Sequence, residues 1–533
     1  MKSLAASRLL KAALIAGTVS LASLAPAATL NVGLGADVTS IDPHFYLYVP
    51  NQNVADHIFD RLIHRDDRLQ MVPGLATSWK AVDDRTWEVK LRPNVKFHDG
   101  SAFTAEDVKF SFERVPTIKD SPGLLTTYTR AIAGIEVVDP LTVRFKTDKP
   151  YPLLPNDIAI IPIVSKKAAT GATTADFNSG KAAIGTGPFK FVRYARGDRI
   201  ELARNDAYWG PKPAWDGVTL RIMTSEASRV AALLSGGVDA IDTVPVSDMM
   251  RIKKEPGLQT VAKTGYRLIY FGLNLSDSAA SHFQTKAGAP LGTNPLKDLR
   301  VRQAISKAIS RDAIVGRVLE GAGTATGQLV NSGLPGYIAD LPAGNYDPNG
   351  ARALLAQAGY PDGFKMTIHG PNNRYLMDEQ IVQAVAQMLT RVGITTAVET
   401  MPAASYFGKN NKGEFAMSLV GFAPDSAEAS SPLRALVATK DPAKGFGNFN
   451  VGYSNKKVDE LIERAMATVQ PQAREKLLQD ATRVAMDDVA LIPLHHQASI
   501  WAMKRGMNYP GRLDERTHAM EFAPSVNAAS AKP

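Results

Sequence analysis

The sequence predicts an α/β protein of two or three lobes, on three observations. The chain has 533 residues, and a domain usually holds about 100–200. The stretch 218–244 reads as strand, helix, strand. From 346 to 422 helices and strands alternate again, whereas 70–150 carries a period of two.

In chain order, "MKSLAASRLLKAALIAGTVSLASLAPAATL" opens with Lys2, Arg8 and Lys11 and continues with an apolar run over 12–24. "APA" at Ala25–Ala27 then supplies a small-residue cleavage site. This is the pattern of a secretory signal peptide, cut after Ala27 or Ala28. No later segment is long and apolar enough to span a bilayer as a helix. The chain contains no cysteine, so it has neither disulfides nor a lipoprotein anchor, and a thiol nucleophile is excluded. The expectation is a freely diffusing protein between the two membranes of a Gram-negative cell. The formal charge is +9, and the leader's three cations leave +6. Lysines and arginines are scattered rather than clustered, which argues against a nucleic-acid face.

"ATLNVGLGADVTSIDPHFYLYVPNQNV" gives a short strand and an aromatic loop with Phe45, Tyr46 and Tyr48. In "TWEVKLR", Trp87, Val89 and Leu91 alternate with Glu88, Lys90 and Arg92, and 141–146 repeats the pattern, as antiparallel strands with one wet face do. Thr104 and Asp107 fit a capping box for a helix running through Phe112, with Phe103 and Val108 as its staple. A hairpin turns at Arg196-Gly197-Asp198. The βαβ unit follows, with Thr224 or Ser225 as cap and Gly236-Gly237 as stop. "YRLIYFGLNL" (266–275) is a strand where the pattern changes, a crossover between lobes.

Beyond it, Val301, Ala304, Ile305, Ala308 and Ile309 share one helix face. Asp347, Pro348 and Gly359 cap, start and stop the next helix. A strand, a helix over 378–392 ended by Gly393, a strand, a short helix near Tyr406 and the strand 415–422 complete the series. In open α/β sheets ligands sit outside the carboxyl ends of the strands. Two loops leave such ends: 370–375, with Asn373 and Arg374, and "APDSAE", with Asp425 and Glu428. If the strands are parallel, both loops open on one side, and an arginine and a carboxylate flank one crevice. That suits a zwitterion, with Asp425 taking the cation and Arg374 the anion. Alternatively Asp425 caps a helix beginning near Ala427 and Arg374 is a solvated loop charge.

Segments 74–114, 185–210 ("GTGPFKFVRYARGDRIELARNDAYWG"), 299–315 and 346–364 ("YDPNGARALLAQAGYPDGF") resemble the extracellular solute-binding proteins of family 5, the peptide- and nickel-type receptors of ABC importers. The resemblance implies a two-lobed periplasmic-binding-protein clamshell of type II with an extra subdomain inserted in the first lobe. The expected division is signal peptide 1–27, lobe I from 28–60, 186–267 and 497–533, the inserted subdomain 61–185, and lobe II 268–496. Crossover strands near 266–272 and 493–500 would form the hinge. The resemblance places Asp425 on a peptide's α-ammonium and Arg374 on its carboxylate. Phe422 stands where relatives usually carry tryptophan, and "SAEAS" replaces their usual continuation. Loop 45–52 would face the crevice with Tyr46, Tyr48 and Asn51, and Trp501 is a further candidate wall. The implied partners are a small peptide or peptide-like ligand and the ABC permease, with the receptor a monomer. An opine, a sugar conjugate or a metal-chelate or haem-type ligand is the alternative.

No cofactor or metal is expected. His495-His496 are adjacent on a strand and point to opposite faces, so they do not readily share one ion. "GLGADV" (33–38) lacks the third glycine of a dinucleotide fingerprint, and "GAGTATG" (321–327) lacks the Gly-Lys-Ser/Thr of a phosphate loop. No G-x-S-x-G elbow occurs, and no nucleophile–base pair is legible, which leaves a hydrolase as the weaker rival.

Overall fold

The computed structural model describes residues 28–123, 125–424 and 426–525. The leader 1–27 and Asp425 lie outside the described residues. Among those described, an 11-stranded mixed sheet runs through the molecule. Its two central strands, Leu258–Leu273 and Ile492–Lys504, are long and antiparallel, pairing from Leu258↔Lys504 to Phe271↔Ile492. They lie between the flank that holds Phe364–Pro371 and the flank that holds Thr29–Leu34. The first begins earlier than the sequence suggests. A register shift between Thr264 and Leu268 breaks the period-two pattern that would have revealed its start.

On one flank Met417–Phe422 pairs with the crossover strand, then Phe364–Pro371, then Ile394–Met401. Phe364–Pro371 is parallel to both Ile394–Met401 and Met417–Phe422, with Ile368 opposite Met417. The condition set by the sequence is therefore met, and the loops after Pro371 and Phe422 leave the same end of the sheet. On the other flank Thr29–Leu34 is parallel to Gly217–Ile222 and to Ala240–Ile241. The hairpin Phe189–Ala195 and Arg199–Arg204 closes that edge. A separate four-stranded antiparallel sheet includes Thr86–Leu91 and Thr142–Thr147.

Local chemistry explains the helix ends. Ser225 accepts from the Ser228 amide to start Glu226–Leu234, and Gly236 takes a left-handed φ of 77° after its end. Asp347 caps Pro348–Gln357, and Gly359 (φ 92°) stops it. The Thr104–Asp107 capping box opens Ala105–Arg114. No helix begins near Ala427. That residue has φ 54°, and the next helical turn starts at Ser430.

Among the described residues three apolar cores form. One holds Phe271, Ile305, Phe364, Leu389, Met417 and Leu478. A second packs Leu30, Val32, Ile58, Phe189 and Trp501. The third lies behind the four-stranded sheet, around Leu62, Val89, Phe112, Phe145 and Ile158. No described helix is long and apolar enough to cross a membrane.

Candidate functional site

The carboxyl ends of both parallel strand groups meet one cavity of about 1110 Å³. From the first half come Gly35, Tyr48, Asn53, Glu226 and Asp242; from the second come Asn373, Arg374 and Asp378. The crossover strands form its floor through Arg267, Gln497 and Trp501.

Arg374 is held by its backbone, and its guanidinium makes no hydrogen bond or ion pair with the described residues. Asp378 Oδ2 accepts from the amides of Arg374 (2.8 Å) and Tyr375 (3.0 Å), while Asp378 Oδ1 accepts from Glu379. The amide of Leu376 donates to Gln497 Oε1 (3.1 Å), which pins the loop to the crossover strand. Asn373 Oδ1 accepts from the Ala403 amide at 2.9 Å. Met377, at φ 53°, makes the left-handed turn that lets the loop double back onto Asp378. The Arg374 guanidinium is solvent-exposed, lies 5.2 Å from the Tyr375 ring centroid, and has no ion pair with any described residue. A cation so placed accepts a carboxylate at little reorganisation cost.

The facing side carries acids. Glu226 is exposed at the first turn of its helix and makes no ion pair among the described residues. Asp242 accepts from the Gly35 amide at 2.6 Å, and burial raises its pKa against the pull of that bond. Arg267 and Glu515 neutralise each other through two hydrogen bonds of 2.9 and 2.8 Å. Burial also raises the Tyr48 phenol, with Tyr46 adding to the effect.

The other sequence candidates separate. Tyr46 stacks on Tyr48 (5.3 Å, 15°), and only Tyr48 lines the cavity. Asn51 is turned inward and spent on Thr39: its Oδ1 accepts from the Thr39 amide and its Nδ2 donates to Thr39 Oγ1, both at 2.9 Å. Asn53, two residues on, lines the cavity instead. Trp501 is a buried wall whose indole donates to Thr517 at 2.9 Å. Phe422 lines a second cavity that it shares with Arg374. Glu428 is 2% exposed, and Arg474 engages both its oxygens at 2.6 and 2.5 Å. Its charge is committed inside the second half rather than offered to a solute. His495 is fully buried with both ring nitrogens unpartnered among the described residues, and no described group of histidines and acids could hold a metal ion. Glu226, Asp242 and Gln497 are not singled out by the sequence reading. The carboxyl-end rule applied to 217–222 and 240–241 points to the first two.

Comparison with known proteins fits this architecture. A family model for bacterial extracellular solute-binding proteins, family 5 Middle, matches residues 70–444. The glutathione-binding protein GsiB of Pectobacterium atrosepticum is 30% identical over 464 residues, 84% of this chain and 85% of that one. GsiB of Shigella flexneri is 28% identical over 473 residues, 87% of this chain and 88% of that one. Among solved structures, HbpA2 from Haemophilus parasuis superposes with a TM-score of 0.80 at 24% identity, covering 93% of this chain and all of that one. AgaA of A. tumefaciens R10, in complex with agropinic acid, gives a TM-score of 0.70 at 26% identity over 93% of this chain and 98% of its own. The fold is the two-lobed type II clamshell, and the chain belongs to the bacterial extracellular solute-binding proteins of family 5.

Proposed function

We propose that this protein is the exported receptor of an ABC importer, and that it binds a small peptide or peptide-like solute between its jaws and delivers it to the membrane permease. One jaw is 28–60, 186–267 and 497–533 with the inserted 61–185; the other is 268–496. The observation that carries the reading is the Arg374 guanidinium, fixed at its backbone and unpaired among the described residues in the interlobe cavity. Arg374 takes the solute's anionic group and Asp425 its cationic one, with Asn373, Tyr48, Phe422 and Trp501 shaping the surroundings. The solute favours closure because only the closed form lets it touch both jaws. The relatives named for glutathione support a peptide-like solute, and the likeness to AgaA with agropinic acid favours an opine as the second reading. In this reading the protein works as a periplasmic monomer, after removal of the leader, and catalyses no reaction.

Native mass spectrometry of the protein as purified, followed by calorimetric titration with dipeptides, glutathione and agropinic acid, tests the proposal. A bound or titrating acid that Arg374→Ala weakens at least tenfold, with unchanged melting temperature, is the expected result. Equal affinity in the variant removes Arg374 from the site, and new peptide termini after incubation overturn the receptor reading in favour of a hydrolase.

A further inference from the structure

Behind the Arg374–Tyr375 loop lies the second cavity, of about 370 Å³, inside the 268–496 half. Its floor is one face of the sheet: Ser418, Val420 and Phe422 alternate along their strand, and Val420 pairs with Tyr270 across it. Phe407, Phe415 and Phe449 rise around that floor. Phe449 is 53% exposed and stands edge-on to Phe422, 6.3 Å between centroids at 65°. The one deep amide in the wall is already committed. Asn274 donates to the Gly413 carbonyl at 2.9 Å and accepts from Ser276. The lining therefore combines aromatic faces and edges, at Phe407, Phe422 and Phe449, with polar side chains of Asn410, Asn411 and Ser418. Arg374 and Tyr375 border this cavity and the interlobe cleft alike, so the two spaces meet at the Arg374 cation, unpaired among the described residues.

We infer that this cavity is a specificity pocket, and that the solute unit whose anionic group sits on Arg374 carries a bulky apolar group, aromatic by preference, which inserts among Phe407, Phe422 and Phe449. The inference rests on the reading of Arg374 as the anion anchor. Small-ligand sites span about 300–1,000 Å³, so this volume suits one side-chain-sized group rather than a whole peptide. A ring placed there meets edge-to-face partners and covers the exposed Phe449, while the adjacent guanidinium pairs with the carboxylate on the same residue. A solute ending in glycine leaves the pocket unused.

Calorimetry with Ala-Phe and Ala-Ala on the whole mature protein tests this. The parent is expected to bind Ala-Phe at least tenfold more tightly. Val420→Trp, which fills the floor, brings the ratio of the two dissociation constants close to one. Phe422→Ala, which removes a wall without crowding, lowers the same ratio and serves if the tryptophan variant does not fold. Arg374→Ala weakens both dipeptides together and so reports on the anion anchor alone. Equal binding by the parent, or a ratio that neither pocket variant changes, overturns the pocket and leaves the receptor reading standing. If neither dipeptide binds, the peptide reading fails, and the pocket is read by ligand-observed NMR with 3-phenylpropanoate against propanoate. A signal from the phenyl acid alone, lost in Val420→Trp, supports the pocket; no such selectivity overturns it.

Discussion

The side-chain amide of Asn156 donates to the carbonyl of Ser426 at 2.6 Å. Arg65 Nη2 reaches the same oxygen at 3.3 Å. Asn156 lies on the short helix Leu154–Ile158, whose apolar residues belong to the core of the four-stranded sheet. Ser426 adjoins Ala427, which packs in the core of the opposite half. The contact therefore spans the two halves beside the loop that carries Asp425. It is one neutral hydrogen bond, with a net worth of about 1 kcal/mol. Asn156→Ala should lower the compact-to-open ratio of the solute-free protein about fivefold, since about 1 kcal/mol shifts a two-state ratio by that factor. Small-angle scattering should show a larger radius of gyration at unchanged melting temperature. An unchanged scattering curve means the bond has no weight in closure.

Glu428 and Arg474 form a nearly dry ion pair, with side chains 3% and 10% exposed. Ser430 also donates to Glu428, and Arg474 donates to the Ala465 carbonyl at 3.2 Å. Removing one partner strands a buried charge, which typically costs about 3–5 kcal/mol, whereas replacing both by apolar groups is often neutral. Arg474→Met should destabilise by that order in urea unfolding, and Arg474→Met with Glu428→Leu should recover most of the loss. Equal stability of the single and double variants would falsify the pairing as the dominant effect.

This pair also marks where the sequence stops being informative. Local signals were legible. Ser225, Asp347, Gly359 and Gly393 end helices where their chemistry demands, and the carboxyl-end rule puts Arg374 at the cavity. Glu428 looks like a site acid because it follows a strand end, and nothing within that segment reveals Arg474, 46 positions away. Asn51 misleads for a geometric reason. Within the helix Val49–Ile58 it is rotated toward Thr39, while Asn53 faces the cavity, and a loop read without its helical phase cannot separate the two. The second cavity is hidden more deeply, because Phe407, Phe422 and Phe449 come from three separate segments.

Burial, with the neighbouring His496 adding to it, depresses the His495 imidazole to a pKa of about 3. The ordinary value is about 6.5. The unfolded chain thus takes up the proton first as pH falls. The stability tied to the neutral ring is complete above pH 6.5 and is lost progressively between 6.5 and about 3, at up to about 1.4 kcal/mol per pH unit. His495→Phe should flatten the fall of unfolding free energy between pH 6.5 and 4 relative to the parent, whatever it does to stability at pH 7.5. Parallel curves for the two proteins would place the acid sensitivity elsewhere.

Gly185 and Gly187 press against the end of the helix Val49–Ile58. A Cβ on Gly185 would lie 1.9 Å from the Ile58 carbonyl oxygen, and one on Gly187 would lie 2.6 Å from the Ile58 carbonyl carbon. The contact is backbone on backbone, so no side chain can swing aside. It is also bonded: the Gly187 amide donates to Ile58 O at 2.9 Å, the His98 amide donates to Gly185 O at 2.9 Å, and Thr186 Oγ1 donates to Asp60 at 2.9 Å. The Gly-Thr-Gly run thereby joins the strand Phe189–Ala195 to the chain leaving that helix for the four-stranded sheet. Inserting a methyl group forces these bonds apart, and overpacking of this kind costs about 1–3 kcal/mol or more. Gly185→Ala should lower the urea midpoint accordingly. Gly134→Ala, on a strand where a Cβ meets nothing within 4 Å, should leave the midpoint within about 0.5 kcal/mol of the parent. Because the Gly185 junction ties the second core to the third, its loss should also broaden the transition as the two cores uncouple. A sharp transition at the parent midpoint in Gly185→Ala would show that the helix end can yield.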